Sequence, residues 1–195
     1  DDCGARMAAL GSGAGTSVGA SYDIGNGFTA AVGYSGNGAT ANGLMTQEGD
    51  DEYGAQLSYA ADSYGASITY ANTELAGSDT TYWALNGYFT PSEAAGFPSI
   101  SVGFEAGDPE SVLLDDTTQY FVGLQWDEFG PGTLGFALGT DGAFTDADTE
   151  YMIYEAFYSY PINDGMTITP YVWINEEVAT QTDDTGIAVV TTFSF

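Results

Sequence analysis

Apolar and polar residues alternate along most of this chain with a period of two. From Ile187 to Phe195, every second residue lies on one bulkier, more apolar face, and the residues between them lie on the other. This is the period of a β-strand, in which successive side chains point to opposite faces. The pattern recurs about eleven times without any helical period, which predicts an all-β chain. The predicted strands lie near residues 17–23, 28–35, 53–59, 64–70, 82–89, 99–105, 119–126, 134–139, 151–158, 166–174 and 186–195.

Aromatic residues bound the apolar face of several predicted strands. In four pairs of aromatic residues, only small or aliphatic residues lie between the two rings on that face: Phe28 and Tyr34, Tyr53 and Tyr59, Tyr64 and Tyr70, and Tyr120 and Trp126. A lipid-facing strand has this form, because amphipathic rings lie at the two membrane interfaces and aliphatic side chains lie in the hydrocarbon. A chain that ends on an aromatic residue inside a strand, as here at Phe195, is also typical of outer-membrane barrels.

The predicted connections are alternately short and long. Residues 24–27, 61–63, 127–132 and 161–165 form short turns, 91–98 is intermediate, and 36–52, 72–80, 106–117, 140–150 and 175–184 are longer. Alternation of short periplasmic turns with longer outer loops is the pattern of an up-and-down barrel. The sequence therefore predicts an antiparallel, up-and-down transmembrane β-barrel in the outer membrane, with residues 1–195 as one barrel domain.

The direction of the strands predicts that the barrel is larger than this chain. If the C-terminus is periplasmic, an odd count of strands makes the first strand, near residues 17–23, run inward as well. Bacterial barrels have an even number of strands and usually start on the periplasmic side. We therefore expect this chain to be the C-terminal part of a barrel of about 16 strands.

The charge of the chain restricts its partners. The sequence has 28 Asp and Glu residues but only one Lys or Arg, Arg6, and its net charge is −27. Nucleic-acid binding needs a basic surface, so it is excluded. Most acids fall in the predicted loops, as expected where hydrocarbon makes charge costly. Negative loops at a channel mouth concentrate cations, so the pore is expected to pass inorganic cations better than anions, with membrane lipid or lipopolysaccharide around the barrel.

The face opposite the apolar one supplies the candidate pore-lining residues. Glu155 is the only acid predicted in the middle of a strand, and Tyr151 lies on the same face. Glu105, at a predicted strand end, and Gln119 and Gln125 also lie on the presumed lumenal face. Glu155 has two interpretations: a cation site in the pore, or a carboxylate that hydrogen-bonds a neighbouring Tyr or Thr and only rigidifies the wall.

No catalytic set is visible, and the sequence predicts no enzyme and no cofactor. Histidine is absent and Cys3 has no base partner, which excludes Ser–His and Cys–His nucleophilic chemistry. The acidic loops could hold Ca²⁺ or Mg²⁺ loosely through oxygen ligands. Segment 141–148 superficially suggests a calcium loop but lacks the spaced acids and terminal Glu of an EF-hand. An alternative reading is a secreted, acidic all-β surface module with Ca²⁺ in its loops.

Several segments resemble cyanobacterial outer-membrane porins related to the carbohydrate-selective (OprB-like) porins. The resemblance is specific in residues 154–158, 161–170, 184–186 and 191–195, and looser in 43–49, 53–59 and 122–126. It implies a many-stranded barrel, often a homotrimer, that admits small solutes and inorganic ions. It also implies an N-terminal S-layer-homology domain that binds peptidoglycan. These 195 residues do not contain that domain, so attachment to peptidoglycan is expected only through a segment outside them.

Overall fold

The computed structural model describes residues 16–36, 50–75, 78–91, 96–111, 113–145, 149–176 and 183–194. These residues form twelve antiparallel strands. In chain order they are β1 (Thr16–Gly25), β2 (Phe28–Gly36), β3 (Asp51–Ala60), β4 (Tyr64–Leu75), β5 (Ser78–Phe89), β6 (Ser99–Pro109), β7 (Thr117–Phe129), β8 (Gly132–Thr140), β9 (Phe144–Thr145), β10 (Met152–Asn163), β11 (Met166–Asn175) and β12 (Asp184–Phe193). Within these ranges no helix has the length and apolar character needed to cross a bilayer.

Apart from the short β9, each strand pairs with the next long strand in sequence, which is the predicted up-and-down order. The single sheet runs from β1 to β8 and continues through β10 and β11 to β12, while the short β9 pairs with β7. β1 and β12 lie at the two ends of this path and do not pair with each other in the part of the chain that the structure describes. The all-β, antiparallel prediction is therefore confirmed, with β9 as one strand more than predicted.

The apolar face of the sheet is its more exposed face. We call this the outer face and the opposite one the inner face. Large apolar side chains on the outer face are 42% to 76% exposed, namely Val18, Val32, Leu57, Leu85, Val102, Phe136, Val172 and Ile187. On the inner face, Thr69 and Ala84 are each 2% exposed. A water-soluble sheet buries its apolar face, so this inverted arrangement is that of strands whose outer face meets lipid.

The outer face is continuous because the strand register joins apolar residues across the sheet. Ile68 lies opposite both Leu57 and Leu85, and Leu85 in turn lies opposite Phe104. Aromatic pairs strengthen the band at its edges. Tyr70 and Trp83 meet edge to face with ring centroids 5.0 Å apart, and the Phe28 and Tyr59 centroids are 4.7 Å apart. Such pairs contribute about 0.5–1.5 kcal/mol beyond the area they bury.

The predicted short turns are present and tight. β1 and β2 are joined by Asn26 and Gly27, both with positive φ (54° and 86°), which is the geometry of a two-residue type I′ turn. Ala61–Ser63 joins β3 to β4 as predicted. The other short turns are shorter than predicted, because β7 continues to Phe129 and β10 to Asn163, each with an irregular register near its end.

The predicted long loop over residues 72–80 is wrong. β4 continues to Leu75 and β5 begins at Ser78, and the pairing of Glu74 with Asp79 extends the hairpin. Asn72 Nδ2 donates to Thr81 Oγ1 at 3.2 Å, so a polar side-chain contact joins the two strands here. They lie beyond the aromatic pair Tyr70 and Trp83, where a strand can carry polar residues on both faces. The polarity marks the edge of the apolar band and not the end of the strand.

Candidate pore-lining site

Much of the inner face from β2 to β8 is built from small and polar residues. Between Ala31 of β2 and Ala137 of β8, cross-strand neighbours on this face include Gln56 with Thr69, Ser67 with Asn86, and Ser101 with Gly123. Gln56 Nε2 donates to Thr69 Oγ1 at 2.9 Å. Small side chains leave room on the inner side of a barrel, and amides and hydroxyls keep that side wettable. This face can therefore line a water-filled passage.

Glu105 and Gln119 form one polar pair on this wall. They lie opposite each other on β6 and β7, and Gln119 Nε2 donates to Glu105 Oε1 at 2.7 Å. Glu105 is 5% exposed, and it lies in the middle of β6. The sequence-based assignment of Glu105 to a strand end is wrong, because β6 continues for four residues past it to Pro109. Among the described residues, the inner face thus carries two mid-strand carboxylates, Glu105 and Glu155.

Glu155 lies elsewhere on the wall, in an aromatic environment. On β10 it stands between Ala137 of β8 and Trp173 of β11, and its side chain is exposed. Ser101, Gly123, Ala137 and Glu155 lie in one row across β6, β7, β8 and β10. Glu105 lies four residues after Ser101 on β6, so it is three strands across and four residues along from Glu155. Strand spacing and rise make this separation roughly 20 Å. The two carboxylates therefore act as separate charges on the wall.

The remaining predicted pore residues also lie apart. Gln125 is exposed on the inner face of β7, and its Nε2 donates to Asp127 Oδ1 at 2.6 Å near the turn. Tyr151 precedes β10, and its carbonyl oxygen accepts the Asp141 N–H at 2.8 Å. The structure thus unites only Glu105 with Gln119. The role of each of these residues in the pore remains a prediction.

Sequence reasoning overlooked two features of the inner face. Asn86 lies beside Gly103 there, and both polar atoms of its amide are buried without a hydrogen-bond partner in the described residues. Tyr171 and Trp173 stack with ring centroids 5.3 Å apart and an interplanar angle of 29°. The alternation already placed both rings on the lumenal face, and their spacing of two residues on one strand was the available signal.

The metal hypothesis finds no preformed site in the described residues. No group of three or more His, Cys, Asp or Glu side chains among them is placed to hold a metal ion. Part of the proposed calcium loop, residues 146–148, lies outside the described residues, as do Cys3, Arg6 and the terminal Phe195. Loose binding of Ca²⁺ or Mg²⁺ by the acidic loops therefore stays a prediction.

Residues 4–176 match the family model of the Gram-negative porins. Among solved structures, the chain is similar to an anion-selective porin from Comamonas acidovorans, with 15% identity and a TM-score of 0.69 over 92% of this chain and 59% of that one. It is also similar to OmpF of Salmonella typhi, solved in complex with daunomycin, with 14% identity and a TM-score of 0.64 over 92% of this chain and 62% of that one. The chain thus spans about three fifths of the length of both porins. No curated protein matches the sequence.

Proposed function

Because this chain belongs to the Gram-negative porin family and is an outer-membrane β-barrel protein, we propose that it forms a passive, cation-preferring channel for inorganic ions and small hydrophilic solutes. It works without a cofactor and without catalysis. The observation that carries this proposal is the sign of the charge on the wall. The two mid-strand side chains with charge on the inner face, Glu105 and Glu155, are both carboxylates.

The whole chain supports the same preference. The chain has twenty-eight Asp and Glu residues and a single basic residue, so the electrostatic potential along a passage through this barrel is negative. Negative wall charges and negative loops raise the local concentration of cations and lower that of anions. The Comamonas porin is described as anion-selective. Its likeness to this chain concerns the fold, and the charge of this chain argues for the opposite preference.

Three finer assignments belong to the same proposal. The segments near residues 154–170 and 184–195 favour the cyanobacterial, OprB-like branch of porins, so the solutes include small sugars. The functional unit is a homotrimer, and the outer faces of its barrels contact membrane lipid and lipopolysaccharide. Peptidoglycan attachment would require a domain beyond these 195 residues. The family match and the lipid-type outer face favour this channel over the secreted surface module.

The test is the reversal potential of the protein in a planar bilayer under a gradient of KCl. We expect discrete conductance steps and a reversal potential of the cation-selective sign at about 0.1 M salt, where charges act over about 10 Å. The preference should shrink at about 1 M salt, where the screening length falls to about 3 Å. Exchanging both Glu105→Gln and Glu155→Gln should lower the K⁺/Cl⁻ permeability ratio by about twofold or more. Folded protein without conductance steps, or a reversal potential of the anion-selective sign, would contradict the proposal.

A further inference from the structure

The inner wall at β10 and β11 carries a flat aromatic shelf. Its members are Phe157, Tyr171 and Trp173, and Phe157 lies opposite Tyr171 in the strand register. Two of the rings lie against glycines of the next strands. A Cβ at Gly186 would overlap the Trp173 ring, and a Cβ at Gly135 would overlap the Phe157 ring. The glycines leave room for the rings of Trp173 and Phe157 to lie over the backbone of these neighbouring strands, and Tyr171 stacks against Trp173.

A carboxylate stands at the edge of this shelf. Glu155 lies directly opposite Trp173 in the β10–β11 register, which places their Cβ atoms about 5 Å apart. The side chain of Glu155 is exposed and makes no hydrogen bond or ion pair within the described residues. Arg6 is the only basic residue of the chain, and it lies outside the described residues. A half-buried indole and an exposed carboxylate therefore meet at one point of the inner wall.

We propose that Glu155, Trp173 and Tyr171 form a binding subsite for organic cations inside the channel. The indole and phenol faces attract a positive charge through their quadrupoles, best for Trp, and they tolerate its weakly hydrated alkyl or aromatic groups. The carboxylate adds a direct electrostatic attraction for a cationic ligand, which an uncharged aromatic ligand does not gain. A small inorganic cation holds its water tightly and gains little from such a shelf. The subsite thus selects flat or alkylated ammonium and pyridinium ions.

This inference rests on the proposed channel, since it needs the inner face to be open to water. Its test does not require conductance. Trp83 and Trp126 lie on the outer face, so Trp83→Phe with Trp126→Phe leaves Trp173 as the single tryptophan. In folded, detergent-solubilised protein, N-methylpyridinium should quench Trp173 emission along a saturable curve. Nicotinamide is an uncharged ring of similar size, and its quenching of Trp173 emission should rise linearly with its concentration and not saturate.

The variants separate the local contact from general electrostatics. In the single-tryptophan protein, Glu155→Gln should weaken N-methylpyridinium binding by about fivefold or more, and Glu155→Asp should restore part of it. Asp164→Asn removes the same charge from the exposed turn of the same hairpin, about 25 Å along the strand from Trp173. That variant should bind as the parent does.

Two results would overturn the subsite. One is equal, unsaturable quenching by the cation and the neutral ring. The other is an equal loss of binding in Glu155→Gln and Asp164→Asn, which would mean that the cation responds only to net charge. The control is the circular dichroism spectrum of each variant, which should match that of the folded parent. A saturable, Glu155-dependent signal in a protein that shows no conductance would uphold the subsite and reject the channel, so the two failures are distinguishable.

Discussion

Replacing Leu138 with arginine is expected to prevent stable insertion of this protein, whereas the same replacement at the neighbouring Ala137 is expected to be tolerated. Leu138 is on the outer face of β8, 39% exposed, between Val122 and Tyr154. An arginine on the lipid face of a barrel costs about 2–4 kcal/mol near the bilayer centre and less near its edges. That cost is a large part of the 5–15 kcal/mol that typically stabilises a folded protein.

Ala137 is the control because it is adjacent to Leu138 on β8 and occupies the opposite face. Its side chain is exposed on the inner face, and its Cα lies opposite that of Glu155. An arginine there meets water and a carboxylate, so we expect a change within about 1 kcal/mol. Denaturant titration of the two variants folded into lipid vesicles measures the difference. Equal stability of Leu138→Arg and Ala137→Arg would refute the assignment of the two faces.

The same alternation explains how much of the fold the sequence could predict. Every predicted strand is present, because apolar residues at every second position mark a strand with one face against an apolar environment. The ends of the strands could not be read in this way. Beyond Tyr70 and Trp83 the lipid stops, both faces of β4 and β5 become polar, and the periodic signal vanishes while the hydrogen-bonded pairing continues to Leu75 and Ser78.

Two further misses have the same physical origin. The sequence pattern predicts a strand end at Glu105, but Gln119 hydrogen-bonds Glu105 on the inner face, and Gly107 still pairs with Thr117 beyond it. Strand β9 has only two residues, too few for a period, and Phe144 is held there by pairing with Thr118 and by an edge-to-face contact with Tyr120. Cross-strand partners decide both cases, and they are distant in sequence.

From the sequence, the candidate site could be predicted only as one face of the sheet. Alternation placed Glu155, Gln119, Gln125 and Trp173 on the inner side, which the register confirms. It could not tell which of them are neighbours, because neighbours on this wall belong to different strands. The pairing of Glu155 with Trp173 depends on the β10–β11 register. That register depends on where the Asp164–Gly165 turn closes, and a shift of one residue would place Trp173 on the opposite face.

The second large effect is expected at Gly27, where two backbones approach each other. Gly27 has a φ of 86°, and a Cβ there would overlap the carbonyl oxygen of Ala60. The same glycine accepts the Ala60 N–H through its own carbonyl oxygen at 2.9 Å, so the β1–β2 turn is docked on the end of β3. Because the obstacle is backbone, it cannot move aside as a side chain would. Gly27→Ala should therefore both strain the turn and break this contact, at a cost of about 2–4 kcal/mol.

Gly25 separates these two contributions. Its φ of 93° is equally unfavourable for an L-residue, but no atom lies within 4 Å of the position that a Cβ would take. Gly25→Ala should therefore cost only the backbone strain, about 1 kcal/mol. Denaturant midpoints of the two variants in the same vesicles measure the difference. If the two alanines destabilise the protein equally, the docking of the turn on Ala60 contributes nothing, and the positive φ alone explains why glycine is needed at both positions.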